Sequence, residues 1–118
     1  MSKNKHTGDT GERLAAEYLQ ELNYIILERN WRHKHWEVDI IAHKAGRLHV
    51  VEVKTRRNEK FGNPEESFKS AKMNALKKAA EEYMYQNPQW QKLQFDIVSI
   101  KLTGNTATEI FLIEDVYF

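Results

Sequence analysis

WEVDIIAHKAGRLHVVEVKTRR, residues 36–57, decides how this chain is read. Two runs rich in Val and Ile flank Lys44-Ala45-Gly46-Arg47, a turn signal. The pattern predicts a β-hairpin with strands at 36–43 and 48–55. Its ends are unusual. Glu37, Asp39, Glu52 and Lys54 all sit away from the turn, on strands whose other residues suit burial. Side chains alternate along a strand, so Glu37 shares a face with Asp39, and Glu52 with Lys54. A turn centred between Ala45 and Gly46 sets Asp39 opposite Glu52 and Glu37 opposite Lys54. Directly opposed Cβ atoms lie about 4.5–5.5 Å apart, close enough for two carboxylates to share one cation. The same register puts Ile41 opposite Val50 on that face. On the other face it matches Val38 with Val53 and Ile40 with Val51.

Opposed carboxylates repel unless a cation lies between them. Magnesium takes oxygen ligands, typically one or two carboxylates with water and substrate phosphate. The competing explanation is a solvated sheet face with cross-strand charge pairs. It accounts for Glu37 with Lys54 better than for Asp39 with Glu52. A one-residue slip in register would dissolve the arrangement.

The elements on either side follow from periodicity. Residues 9–23 predict a helix, with Leu14, Tyr18, Leu19 and Leu22 on one face and Asn23 able to close it. YIILERN (24–30) reads as a strand, and WRHKH (31–35) as an exposed link. After the hairpin and the polar loop RRNEKFGN, a second helix begins at Asn63 as cap, with Pro64 in the first turn and Glu66 in the reciprocal capping contact. It runs to Gln86, before Pro88. Strands at 93–102 and 107–113 complete the order αβββαββ. The expectation is an α/β fold, a mixed sheet flanked by helices, in one domain over 1–118.

Composition narrows the function classes. The chain has 118 residues, 41% hydrophobic and 30% charged, enough for one modest core. It has no cysteine, so disulfides and cysteine-ligated metals are excluded, in keeping with a reducing cytoplasm. No apolar run has the length of a membrane span, and no membrane partner is expected. With a net charge of +1, binding to phosphate must come from local groups rather than from the whole molecule. Basic residues cluster at 29–35, at Lys54, Arg56, Arg57 and Lys60, and at Lys69, Lys72, Lys77 and Lys78.

A strand aspartate followed by a hairpin and Glu-x-Lys resembles the PD-(D/E)xK nuclease superfamily, whose restriction-endonuclease-like core has this element order. A closer resemblance is to the YraN-like family of small bacterial proteins, predicted endonucleases similar to Holliday junction resolvases. It rests on GDTGERLAAEYL (8–19), ERN (28–30), EVDIIA (37–42), VVEVKTR (50–56), Gly62 with Pro64, Lys72 and FDIV (95–98). The resemblance implies a Mg²⁺- or Mn²⁺-dependent DNA endonuclease acting on branched or damaged DNA. Asp39 and Glu52 would be metal ligands and Lys54 the catalytic lysine. Glu12 would be a further acidic residue beside the metal. Related resolvases cut two symmetric strands, which implies a homodimer. The family usually carries Gly where this chain has Trp36, a ring that would either crowd the substrate or stack on a base.

Several residues have two readings. Glu12 is also placed for a capping box if Asp9 caps the first helix. Lys72 lies on the inward stripe of Phe68, Leu76, Ala79 and Tyr83, so it either snorkels to the edge or meets phosphate near the metal. Arg56 and Arg57 are candidate backbone grips, and Glu37 a support for Lys54. His33 and His35 lack a third ligand for zinc and read as loop histidines within reach of phosphate. Asp96, between Phe95 and Ile97, reads as structural. Two other function classes remain open: a non-catalytic nucleic-acid-binding module on the same fold, and an interaction domain whose charges are surface only.

Overall fold

The computed structural model describes residues 2–57, 70–104 and 106–116, with the backbone alone for 2–9, 70 and 71. The element order is that read from the sequence: α1 (Ser2–Glu21), β1 (Ile25–His33), β2 (Trp36–Lys44), β3 (Arg47–Arg56), α2 (Ser70–Gln86), β4 (Leu93–Thr103) and β5 (Thr106–Ile113). The strands form one mixed sheet in the order β1-β2-β3-β4-β5. Only β3 and β4 run parallel, because the chain crosses between them through α2; the other neighbours are antiparallel.

Each helix covers one face of the sheet. Ala15, Ala16 and Leu19 of α1 pack on Ile40, Ala42, Val51, Val98 and Ile100. Met73, Leu76, Ala79, Ala80 and Tyr83 of α2 pack on Ile41, Leu48, Val50 and Ile97. A central strand covered on both faces reads as a continuous apolar run, as Val50 and Val51 do. At the α1–β3 contact, a Cβ on Gly11 would lie 2.0 Å from Thr55 Oγ1. Only glycine lets the helix approach this closely.

The helix and strand limits depart from expectation in two places. Helix α1 begins at Ser2, before any apolar periodicity, so Asp9 is interior and the capping-box reading of Glu12 falls. Its end matches: Asn23 takes a left-handed φ of 73°, and Tyr24 N–H donates to the Leu19 carbonyl at 3.0 Å, closing the last turn. Residues 31–33, expected as a link, extend β1. Trp31 pairs with Val38 and His33 with Trp36 across a two-residue turn at Lys34-His35. That turn depends on a left-handed Lys34, φ 58°, at a position without the Gly or Asn that would signal it. The expected start of α2 at Asn63, Pro64 and Glu66, and Phe68 and Lys69, lie outside the described residues.

The hairpin register is as read. Ile40 pairs with Val51, Ile41 with Val50 and Lys44 with Arg47, around Ala45 and Gly46 with φ of 53° and 79°. Positive φ at both central residues gives the turn type whose twist matches the strands. Val38 is the exception to the expected faces: it packs with the α2-side cluster, not with Ile40 and Val51.

At the turn end of the sheet, Asp96 is a structural anchor. Its Oδ2 lies 2.6 Å from His49 Nδ1, and its Oδ1 accepts from Gln94 at 2.8 Å and from the Asp115 N–H at 2.9 Å. Both Asp96 and His49 are buried, so every carboxylate oxygen needs the partner it has.

Candidate active site

The paired ladder of β2 and β3 stops at Ile40–Val51, one pair short of Asp39–Glu52. In its place Asp39 Oδ2 accepts the Val53 N–H at 2.9 Å. A side chain has taken a backbone position in the sheet, which fixes the carboxylate between the strands and leaves an opening there. Opposite it on β1, Asn30 takes a left-handed φ of 53° between the pairs Arg29–Ile40 and Trp31–Val38. Asn tolerates this conformation better than most residues.

Asp39 and Glu52 line one cavity of about 280 Å³, with Glu37 and Lys72 completing its polar side. Trp36, Ala75 and Leu76 form the apolar side, and His35 stands at the rim. Glu52 is 6% exposed, which is costly for a carboxylate without compensation. Part of that compensation is Lys72, whose Nζ pairs with Glu52 Oε2. Lys72 therefore does face something negative, and its ammonium reaches into the site from the first turns of α2.

Electrostatics set the carboxylates apart from ordinary surface groups. Burial, then the nearby charge of Asp39, pushes the Glu52 pKa up to about 7, overriding the pull of Lys72 and Lys54. Glu12 is likewise pushed up to about 7, by burial first and Asp39 second, with Asn30 and Arg29 opposing. Burial and the Lys72 ammonium lower the Lys54 pKa, against Glu52 and Asp39. Burial would lower Lys72 too, but the charge and hydrogen bond of Glu52 outweigh it and the pKa rises. Asp39 is thus the hub: Glu12 meets it from the α1 side and Glu52 from the α2 side.

The donor set suits a hard divalent cation. Glu12 and Glu52 each crowd Asp39, and Glu12 Oε1 is buried with no hydrogen-bond partner. A cation would relieve both the repulsion and the orphaned oxygen. Among the described residues no three Asp, Glu or His side chains already close on one point. The carboxylates surround Asp39 rather than forming a finished cage, and Lys72 occupies one face of Glu52.

The remaining predicted residues fall as follows. Lys54 and Arg56 continue the face of Glu52 along β3, both half-buried. Arg57 lies just past the strand and donates to the Gly104 carbonyl at 2.5 Å. Glu37 bonds Arg32, its cross-strand neighbour on β1, at 3.2 Å; the charges acting on Lys54 are Lys72, Glu52 and Asp39. The ladder stops before the expected Glu37–Lys54 pair, and Glu37 bonds the strand still beside it. His33 and His35 do not converge on a metal; His33 stacks with Trp31 and Trp36, and His35 lies tilted against Trp36. Asn30 is the residue that sequence reasoning missed. Its signal, a polar residue ending an apolar strand, is shared by ordinary turns.

Residues 11–100, which hold this whole constellation, match Uncharacterised protein family UPF0102. A UPF0102 protein of Flavobacterium johnsoniae is 44% identical over 110 residues, covering 90% of this chain and 89% of the relative. One from Dictyoglomus turgidum is 46% identical over 102 residues, covering 85% and 86%. One from Christiangramia forsetii is 38% identical over 118 residues, covering 100% and 98%. Similarity of this extent, over nearly the full length of both partners, agrees with the YraN-like resemblance read from the motifs. The chain belongs to the family UPF0102.

Proposed function

We propose that the protein is a metal-dependent DNA endonuclease with a restriction-endonuclease-like arrangement, hydrolysing phosphodiester bonds in branched or damaged DNA. The observation that carries this reading is the cavity where the β2–β3 ladder opens, with Asp39 and Glu52 on its wall and Lys72 paired to Glu52. Buried carboxylates with raised pKa values beside lysines are characteristic of functional sites rather than of solvated sheet faces.

Asp39, Glu52 and Glu12 would hold Mg²⁺ or Mn²⁺. When bound, such an ion polarises phosphate oxygens and lowers the pKa of an attacking water. Asp39 is pre-positioned by Val53, so its carboxylate is oriented before any ligand arrives. Lys54, its pKa lowered by burial and by Lys72, is suited to orient the water and to offset charge growing on the phosphate. Lys72 leaves Glu52 for a phosphate oxygen as substrate enters. Arg56 and Arg57 extend the positive track along the DNA backbone, giving binding that is largely blind to sequence.

The test compares wild type with Glu52→Ala and Lys54→Ala on branched, nicked and linear DNA, with Mg²⁺ or Mn²⁺. Cleavage is expected to disappear in both variants while DNA retention largely survives. Equal cleavage by Glu52→Ala would remove the proposed site. Retention of DNA by wild type without cleavage under any divalent ion would favour the binding-module reading instead.

A further inference from the structure

The aromatic and imidazole rings beside the cavity are not accounted for by metal binding or by phosphate contacts. Trp31 and His33 stack with centroids 6.1 Å apart and planes 10° apart. His33 and Trp36 stack at 5.9 Å and 29°, and His35 leans on Trp36 at 5.5 Å and 55°. Tyr83 of α2 braces Trp31 edge-on at 5.3 Å. The row exists because the tight Lys34-His35 turn places His33 directly opposite Trp36. It ends at the half-buried Trp36, which lines the same cavity as Asp39 and Glu52.

Packing alone explains Trp31, which is braced by α2. Trp36 packs against the same core but also lines the cavity, which packing alone does not require. A wall of this kind, in a cavity that Lys72 also lines, has the two parts of a single-strand site: an aromatic ring for a base and a cation for the adjoining phosphate. Size points the same way. About 280 Å³ lies just below the usual range of ligand cavities, about 300–1,000 Å³. That is the scale of one nucleotide unit. Glu52 is recessed within it, which favours a phosphate from a strand free to bend inward.

We propose that Trp36, held in place by His33 and His35, is a stacking platform for an unpaired nucleobase, so that the site takes single-stranded DNA or the unpaired nucleotide at a flap or gap. The inference deepens the proposed function and rests on that reading for the fate of the phosphate beside the stacked base. Trp36 is a specificity-determining residue, not a catalytic one.

The experiment measures binding without catalysis. Wild type, Trp36→Ala, Trp36→Phe and Trp36→Leu are titrated, in calcium, with a labelled oligothymidylate and with its blunt duplex with oligodeoxyadenylate. Wild type is expected to prefer the single strand. Trp36→Ala should weaken single-strand binding about 5- to 100-fold, the range that loss of one base–aromatic stack implies. Trp36→Phe should keep most of the affinity, and duplex binding should change little in either. Trp36→Leu, which keeps more apolar volume than alanine but no π face, decides the matter if Trp36→Ala does not fold. Single-strand affinity in the leucine or alanine variant within about twofold of wild type would overturn the proposal, as would equal loss on single strand and duplex. Preference for the single strand that depends on Trp36, without cleavage of any DNA, would support the platform while removing the nuclease reading. Cleavage with no dependence of binding on Trp36 would do the reverse.

Discussion

Asp39 shows at the residue scale why this site has the properties it has. By accepting the Val53 N–H it ends a β-ladder, opens a cavity and stands between two other carboxylates. The energetic consequence is visible in Glu12 and Glu52, whose pKa values are pushed up from 4.5 to about 7, by burial first and Asp39 second. A carboxyl with a raised folded-state pKa holds a proton that the unfolded chain releases. The stability it contributes is full below about pH 4.5 and is lost as pH rises through about 7. In the absence of divalent ions, Tm is therefore expected to fall between about pH 5 and pH 8, in thermal melts at constant ionic strength. Added Mg²⁺ favours the ionised carboxylates and should flatten that fall. A pH-independent Tm across this window in metal-free buffer would contradict the electrostatic account.

At the element scale, the position of Glu12 depends on how closely α1 lies on β3. Gly11 makes that approach feasible, since a Cβ there would meet all three side-chain atoms of Thr55, at 2.0, 3.1 and 3.2 Å. Alanine in place of glycine gains about 1 kcal/mol of helix propensity. Overpacking against a β-branched side chain, which has little room to turn, costs about 1–3 kcal/mol. The clash at 2.0 Å favours the upper part of that range. Gly11→Ala is therefore expected to lower stability by about 1–2 kcal/mol in urea unfolding, and Gly11→Ala with Thr55→Ala should recover much of the loss. A stabilised Gly11→Ala protein would mean that the helix is not held where Glu12 needs it. The tight turn at Lys34-His35 acts similarly on the other side of the site, delivering Trp36 to the cavity wall.

On the scale of the whole molecule, a net charge of +1 leaves little long-range attraction for DNA. Affinity must come from a few placed cations, among them Lys54, Arg56, Arg57 and Lys72. Binding to single-stranded DNA is expected to weaken linearly in log Kd against log salt, with a slope of about 0.7 per phosphate neutralised. With this few cations the slope should lie between about 1 and 3. Lys72→Ala should reduce it by about 0.7 without altering base preference. A slope unchanged in that variant would place Lys72 away from the nucleic acid. No described helix is long and apolar enough to cross a membrane.

The hairpin at 36–57 was legible in advance because period-two alternation and the Ala45-Gly46 turn are local properties, and register follows from them by counting. The element order came from the same source; the expected cross-strand pair of Asp39 with Glu52 does not form, since the ladder stops at Ile40–Val51. What the sequence could not reveal was where the ladder stops, because that depends on Asp39 competing with the backbone for the Val53 N–H, a contact between residues 14 apart. For the same reason the left-handed Asn30, the early start of α1 and the turning of Glu37 to Arg32 were not readable. Local chemistry determined the strands and the residue types at their ends. Only tertiary packing, with α1 seated at Gly11 and α2 bringing Lys72 to Glu52, decided which of those residues share one space.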